Sequence, residues 1–158
     1  MNDQSWMSLA LDEARLALSE GEVPVGAVLV RDGVCVSRGH NRREQLHDPT
    51  AHAELLCLRR GAEALGDWRL SGCTLYVTLE PCPMCAGALL MSRVSRCVFG
   101  AADAGKGCCG SVYDLPADPA LGGGTAWTAG VMEAECKAVL DAFFQGRRGN
   151  QSSALSGR

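Results

Sequence analysis

The sequence predicts an α/β protein: a three-layer α/β/α sandwich around a five-stranded mixed sheet, its first hairpin antiparallel and its remaining strands parallel. Three observations carry that expectation. Helical and strand-like segments follow one another as helix, hairpin, helix, strand, helix, strand, strand, helix, and strands joined through helices pair in parallel. Asp32-Gly33 separates two β-branched runs, the strongest short-range hairpin signal. Roughly twenty-five residues lie between the fourth and fifth strands, enough for a further crossover.

The first helix is expected over 5–20. Met7, Ala10, Leu11, Ala14, Ala17 and Leu18 share one stripe, opposite Ser8, Asp12, Arg15 and Ser19, and Gly21 stands where a helix ends. Residues 23–30 then enter the hairpin, with Pro24 at a strand start where its missing N–H costs little, and 34–37 return. The polar stretch 39–50 reads as a loop leading to a helix from about residue 51, with Thr50 as N-cap and Leu55, Leu56 and Leu58 as apolar positions. Residues 66–72 turn the chain into a strand over 74–79. Pro81 and Pro83 open the next helix, through residue 90, with Cys82 and Cys85 on one face of its first turn. A strand follows at 97–100. The Gly-, Asp- and Pro-rich stretch 102–124 has room for a short helical piece around 111–115 before a weak strand at 125–128. The last helix covers 131–145, with Met132, Cys136, Val139, Leu140 and Phe143 as its stripe, and 149–158 has the composition of a disordered tail. No repeat or linker divides 1–148, which reads as a single domain.

With 158 residues, 47% of them hydrophobic, the chain can bury one substantial core. A net charge of -3 excludes a broadly basic surface, so any nucleic-acid contact must come from local clusters. No apolar run reaches the length of a membrane span. The N-terminus lacks the basic-then-apolar order of a signal peptide, and a cytoplasmic protein without membrane association is expected. Nine cysteines, odd in number and scattered through apolar segments, suit reduced core residues better than a disulfide framework. Cys35, Cys57, Cys73, Cys97 and Cys136 are assigned to packing.

Chemistry concentrates in two short motifs, His52-Ala53-Glu54 and Pro81-Cys82-Pro83-Met84-Cys85, each at a helix start. One imidazole and two thiolates make three ligands for a zinc ion, one per chain, and leave a fourth position for water. Four side-chain ligands would instead close a structural site. Unpaired N–H groups and the positive dipole end at a helix start favour thiolate over thiol at Cys82 and Cys85. Residues two apart do not share a helical face, so Glu54 is read as a proton carrier beside the metal and not as a second ligand. Water on such an ion is acidified from a pKa of about 15.7 to roughly 7. Glu54 can take its proton, pass it to a ring nitrogen and assist the departure of ammonia. A Cys-x-x-Cys pair alone is equally a redox pair or half of a structural site. The upstream His-x-Glu and the strand-to-helix context favour the catalytic reading. His40 and His47 read as polar loop residues rather than ligands.

Four blocks reach beyond these motifs: Gly-Glu-Val-Pro-Val-Gly-Ala-Val-Leu-Val (21–30), His-Asp-Pro-Thr-Ala-His-Ala-Glu (47–54), Thr-Leu-Tyr-Val-Thr-Leu-Glu-Pro-Cys-Pro-Met-Cys-Ala-Gly-Ala (74–88) and Phe-Phe-x-x-Arg-Arg (143–148). Through them the chain, up to about Arg148, resembles the bacterial tRNA-specific adenosine deaminases. These belong to the cytidine-deaminase-like superfamily, whose base-modifying zinc enzymes share the His-x-Glu and Pro-Cys-x-x-Cys signature. The resemblance implies a zinc-dependent homodimer that converts adenosine to inosine at the wobble position of an arginine tRNA, with no DNA partner. It also implies residue roles. Asn41 would donate to a purine ring nitrogen, Pro24 and Val25 would form an apolar wall, and the Ala53 N–H and Pro81 carbonyl would read the base edge. Asp103 would accept from a ribose 2′-OH, the group that marks RNA. Lys106, Arg147 and Arg148 would supply charge for the RNA backbone, and Phe144 would stack on a loop base.

Plainer roles stand beside these: a turn-forming Asn41, a solvated loop Asp103, and Arg42 and Arg43 as a solvated face or an extension of the basic rim. Phe143 follows the core stripe. Cys108-Cys109 depart from the small residues usual in the family loop, as small residues themselves or as a redox-sensitive pair. Leu89, Leu90 and Met91 suit either the core or pairing across a two-fold axis. Two readings compete with the tRNA enzyme. A deaminase of a free nucleobase or nucleoside, of guanine or cytosine type, would share the zinc motif but have little use for Phe144, Arg147 and Arg148. A non-catalytic zinc module would keep its function without Glu54.

Overall fold

Asn2 caps the first helix: its side-chain oxygen accepts from the Ser5 N–H at 2.9 Å, so α1 (Asp3–Ser19) begins before the apolar stripe does. In this computed structural model, residues 1–149 are described, apart from the side chains of 148 and 149; the tail expected beyond them lies outside the described residues. Gly21, at φ 79°, ends α1 with its N–H on the Leu18 carbonyl at 3.1 Å. Trp6, Met7, Ala10, Leu11, Ala14 and Ala17 are buried, and so is Glu13 on the same face.

The expected first strand starts late. Val25 donates back to the Val23 carbonyl at 2.9 Å, a tight turn that takes 23–25 out of the sheet. β1 (Gly26–Arg31) then begins at a glycine whose Cβ would lie 2.1 Å from the Ala10 carbonyl oxygen, because α1 rests directly on it. Asp32 and Gly33, at φ 52° and 73°, make the hairpin turn, and β2 (Val34–His40) returns further than the apolar run suggested. A register shift after Leu29 bulges β2 around Val36.

His52, not Thr50, is the N-cap of α2 (Ala53–Leu65). Thr50 instead gives its N–H and hydroxyl to Asp48 Oδ1 at 2.8 and 2.7 Å, closing an Asx turn one step earlier. β3 (Thr74–Leu79) matches its expected bounds, and α3 (Pro83–Met91) follows with Cys82 as N-cap. After β4 (Arg96–Ala101), helical turns form at Leu115–Ala117 and Pro119–Leu121 rather than around 111–115. Ser111 is held elsewhere, with its N–H and hydroxyl both on the Glu80 carboxylate. β5 (Ala126–Thr128) and α4 (Glu133–Gly149) complete the chain; Met132, at φ 56°, delays the last helix.

The sheet order is β2-β1-β3-β4-β5, with β1 antiparallel to both neighbours and β3, β4 and β5 parallel. Gly26 faces α1, whereas Gly39, paired with Ala27, faces α2. Alternate residues of one strand pair therefore meet helices on opposite faces, α1 packing with α4 and α2 with α3, which makes the three layers. β2, β3 and β4 point the same way, so their last residues, His40, Leu79 and Ala101, open onto the same end of the sandwich. A Cβ on Gly39 would lie 2.8 Å from the Ala53 carbonyl oxygen and 2.9 Å from the Cys57 nitrogen, both main chain. Gly39→Ala is expected to lower the unfolding free energy by about 1–3 kcal/mol, read from the urea midpoint at constant m.

His40 closes β2 between two carboxylates of α1: Nδ1 is 3.0 Å from Glu13 Oε1 and Nε2 is 2.8 Å from Glu20 Oε1. The hydrogen bond with Glu13, joined by that with Glu20, outweighs burial and raises the imidazole pKa. The sign follows directly. The imidazolium's stabilisation is complete below the unfolded value near 6.5 and is lost as pH rises through the higher folded value. Urea midpoints of the wild type and His40→Gln should therefore differ more at pH 6 than at pH 9.

Candidate metal centre

The two N-caps face each other. The His52 side chain makes no hydrogen bond to its own helix, and the His52 and Cys82 side chains meet between the starts of α2 and α3. His52 Nδ1 lies 3.6 Å from Cys82 Sγ and 3.5 Å from Cys85 Sγ. Zinc–sulfur bonds of ~2.3 Å and zinc–nitrogen bonds of ~2.0 Å at a tetrahedral angle put nitrogen and sulfur about 3.6 Å apart. The donor set thus fits zinc in both chemistry and spacing. Cys82 is 7% exposed and Cys85 0%. Their mutual hydrogen bond, aided by His52 and opposed by burial, brings the Cys82 thiol down to about 4. Among the described residues, this is the group of His, Cys, Asp or Glu that clusters tightly enough to hold an ion.

Glu54, two residues on from His52 in the first turn of α2, is 0% exposed. Ala53 heads α2 and is buried. The turn 23–25 packs over the same end of the sandwich, with Pro24 and Val25 both buried. Asn41 is 1% exposed. Its N–H meets the Val25 carbonyl at 3.1 Å, Nδ2 donates to the Val23 carbonyl at 3.3 Å, and Oδ1 accepts from the Arg43 N–H at 3.4 Å. Asn41 therefore forms the turn and keeps a second amide hydrogen. The Pro81 carbonyl accepts from the Cys108 N–H at 2.8 Å, leaving one lone pair.

The sequence-predicted RNA-side residues divide between two hollows. Asp103 and Phe144 line an open cavity of about 440 Å³ with Val23, Leu79 and Lys137. Asp103 is also a turn former, its Oδ1 accepting from the Gly105 and Lys106 N–H groups at 3.0 and 3.1 Å. Arg147 joins Asn41 and Arg43 in a second hollow, its guanidinium 5.1 Å from the Phe143 ring centre. Phe143 is buried and meets Phe144 edge-on at 5.2 Å. Lys106 is exposed on its loop, and the Arg148 side chain lies outside the described residues. His47 is in an exposed loop, whereas His40 belongs to β2. All nine cysteines are free thiols; Cys108 and Cys109 are buried, and Cys35 is half-buried against the core.

The sequence family described as the cytidine and deoxycytidylate deaminase zinc-binding region matches residues 1–101. A tRNA-specific adenosine deaminase of Bacillus subtilis (strain 168) is 47% identical over 152 residues, covering 96% of this chain and 94% of the relative. The chain belongs to the tRNA-specific adenosine deaminase family. A solved structure from work on A-to-I editing by tRNA:A34 deaminases at the wobble position of transfer RNA shares this fold. It is 44% identical with a TM-score of 0.84, covering 86% of this chain and 99% of that one. A guanine deaminase of Nitrosomonas europaea, 24% identical with a TM-score of 0.78 over 89% of this chain and 83% of its own, shares the fold.

Besides Glu13, two buried carboxylates of this deaminase chain escaped the sequence reading. Glu22 is 1% exposed and accepts from the Glu44 and Gln45 N–H groups at 3.1 and 2.8 Å. Glu80, also 1% exposed, accepts from the main chain of the loop after β4. A hint lay in plain view, since each glutamate directly precedes a segment already singled out. Of the two roles open to Leu89, Leu90 and Met91, the first two take the core one: Leu89 and Leu90 are buried, and only Met91, 71% exposed, reaches the surface.

Proposed function

We propose that this chain converts adenosine to inosine by hydrolytic deamination at the wobble position of an arginine tRNA, using one zinc ion per subunit. The observation that carries the reading is the His52–Cys82–Cys85 cluster at zinc spacing, with the buried Glu54 two residues on from His52. When bound, zinc supplies an acidified water as nucleophile at neutral pH. Glu54 takes a proton from the attacking water and delivers it to the purine ring nitrogen as the amino-bearing carbon is attacked. It then carries the proton of the added hydroxyl to the amino group, which leaves as ammonia. Pro24 and Val25 form the apolar wall. The free hydrogen of the Asn41 amide, the Ala53 N–H and the remaining Pro81 lone pair hold the base edge. An anticodon loop presents its bases already splayed, so extrusion is cheap.

The relatives' names support a tRNA substrate, and the arginine acceptor is what the resemblance carried by the four sequence blocks implies. Phe144 and Asp103 in one open cavity support an RNA-side role for that end of the sandwich. Lys106, Arg147 and Arg148 are the basic residues assigned there to the RNA backbone. Residues 1–148 form the single deaminase domain of a cytoplasmic homodimer. A shallow apolar hollow lined by Leu55, Leu58, Trp68, Ala88 and Met91 supports pairing across α2 and α3. No helix among the described residues is long and apolar enough to cross a membrane.

The test is incubation with a minimal arginine anticodon stem-loop, beside free guanine, cytosine and adenosine. Inosine at the wobble position, with no ammonia from the free compounds, is the expected result. Ammonia from a free base and an untouched stem-loop would establish the nucleobase reading instead.

A further inference from the structure

Glu80 stands between β3 and the Pro81-Cys82 ligand turn, and N–H and O–H donors of a loop meet its charge. Oε1 accepts from the Asp103 N–H at 3.0 Å and from the Ser111 hydroxyl; Oε2 accepts from the Cys109 and Ser111 N–H groups at 3.0 and 3.1 Å. The main chain adds a bond from the Glu80 N–H to the Ala101 carbonyl at 2.9 Å and one from the Cys108 N–H to the Pro81 carbonyl at 2.8 Å. The loop also presses on the carboxylate between these anchors. A Cβ on Gly107 would sit 2.3 Å from the Glu80 carboxyl carbon, so the backbone can wrap the group only because residue 107 is glycine. A buried carboxylate satisfied by main-chain donors fixes those donors in space, because any outward movement strands a charge without partners.

We propose that Glu80 is a positioning residue that sets the loop 102–111, with Asp103 and Lys106, at a fixed height above the metal centre, and so governs how tightly the RNA substrate is held. This rests on the reading of the site as an RNA deaminase. Glu80 lies outside the His52–Cys82–Cys85 group. It couples two segments instead: the turn that presents Cys82, and the loop that borders the Phe144 cavity. Loosening it should therefore weaken substrate binding and leave the chemical step largely intact.

Glu80→Gln is the sharp test, because the amide keeps the shape but puts an NH2 group against N–H donors. The variant should keep one zinc per chain and stay folded at the assay temperature. Hydrogen exchange at the amides of Asp103, Cys109 and Ser111 should accelerate by roughly a hundredfold against unchanged rates in β3. KM for the stem-loop should rise about tenfold while kcat changes less than about threefold. Unchanged exchange in the loop, a loss confined to kcat, or loss of the metal would overturn the proposal. Should Glu80→Gln fail to fold, Ser111→Ala removes only the hydroxyl donor. The same exchange and KM shifts, smaller in size, are then expected, and their absence is equally fatal. If the wild type itself leaves the stem-loop unaltered, the RNA reading fails, and the exchange measurement alone decides whether Glu80 holds the loop.

Discussion

Glu54→Ala will give a folded protein that still binds one zinc ion but deaminates the anticodon stem-loop with kcat lowered roughly 10²–10⁴-fold. The proposed ligands are His52, Cys82 and Cys85, so their spacing does not depend on the Glu54 carboxylate. The proton path does depend on it. Glu54 is fully buried at the second position of α2, where bulk water cannot take over the transfer. Metal analysis and single-turnover kinetics on the same sample check the prediction. A variant that keeps full activity with its zinc in place would return the chain to the class of non-catalytic zinc modules. Glu54→Gln should be as inactive, since the amide retains size and polarity but cannot accept and return a proton.

Cys85→Ser should lose the ion and the activity together. Cys85 is wholly buried within 3.5 Å of His52 Nδ1, and it is the main cause of the lowered Cys82 pKa. A hydroxyl is a poor thiolate substitute for a borderline-soft ion. Partners outside the ligand shell typically cost 10–100-fold in affinity or activity, so a ligand itself should cost more than about a hundredfold. Treating the wild type with a chelator should reproduce the loss, and adding zinc back should restore the wild type and not the variant. Restoration of Cys85→Ser at stoichiometric zinc would remove Cys85 from the ligand set.

The parts of this molecule visible in its sequence are those whose physics is local. β3 was legible to the residue because an unbroken run of β-branched, aromatic and leucine residues has turn signals on both sides. The metal cluster was legible because ligand spacing is itself a local quantity, and both ligand turns sit at helix starts. Local competition hid the rest of the boundaries. Thr50 satisfies every rule for an N-cap, but Asp48 takes its hydrogen bonds first. The 111–115 piece fails to coil because Ser111 answers a carboxylate thirty-one residues away. Glu13, Glu22 and Glu80 were missed for one reason: a glutamate is exposed by default, and what buries each of them comes from a distant segment. The site residues divide the same way. Asn41 and Asp103 carry the turn-forming bonds that their residue types predict, and only the cavity beside Asp103 argues for more.

Both rims of the opening, 44–45 and 103–111, are gripped from beneath through amide groups, which every residue except proline possesses. Side chains pointing outward from these rims are therefore free to drift while the path of the polypeptide stays the same. A combinatorial library at 44–46 and 104–106, sparing Gly107 and excluding proline, should yield mostly well-folded members that differ in which oligonucleotides they prefer.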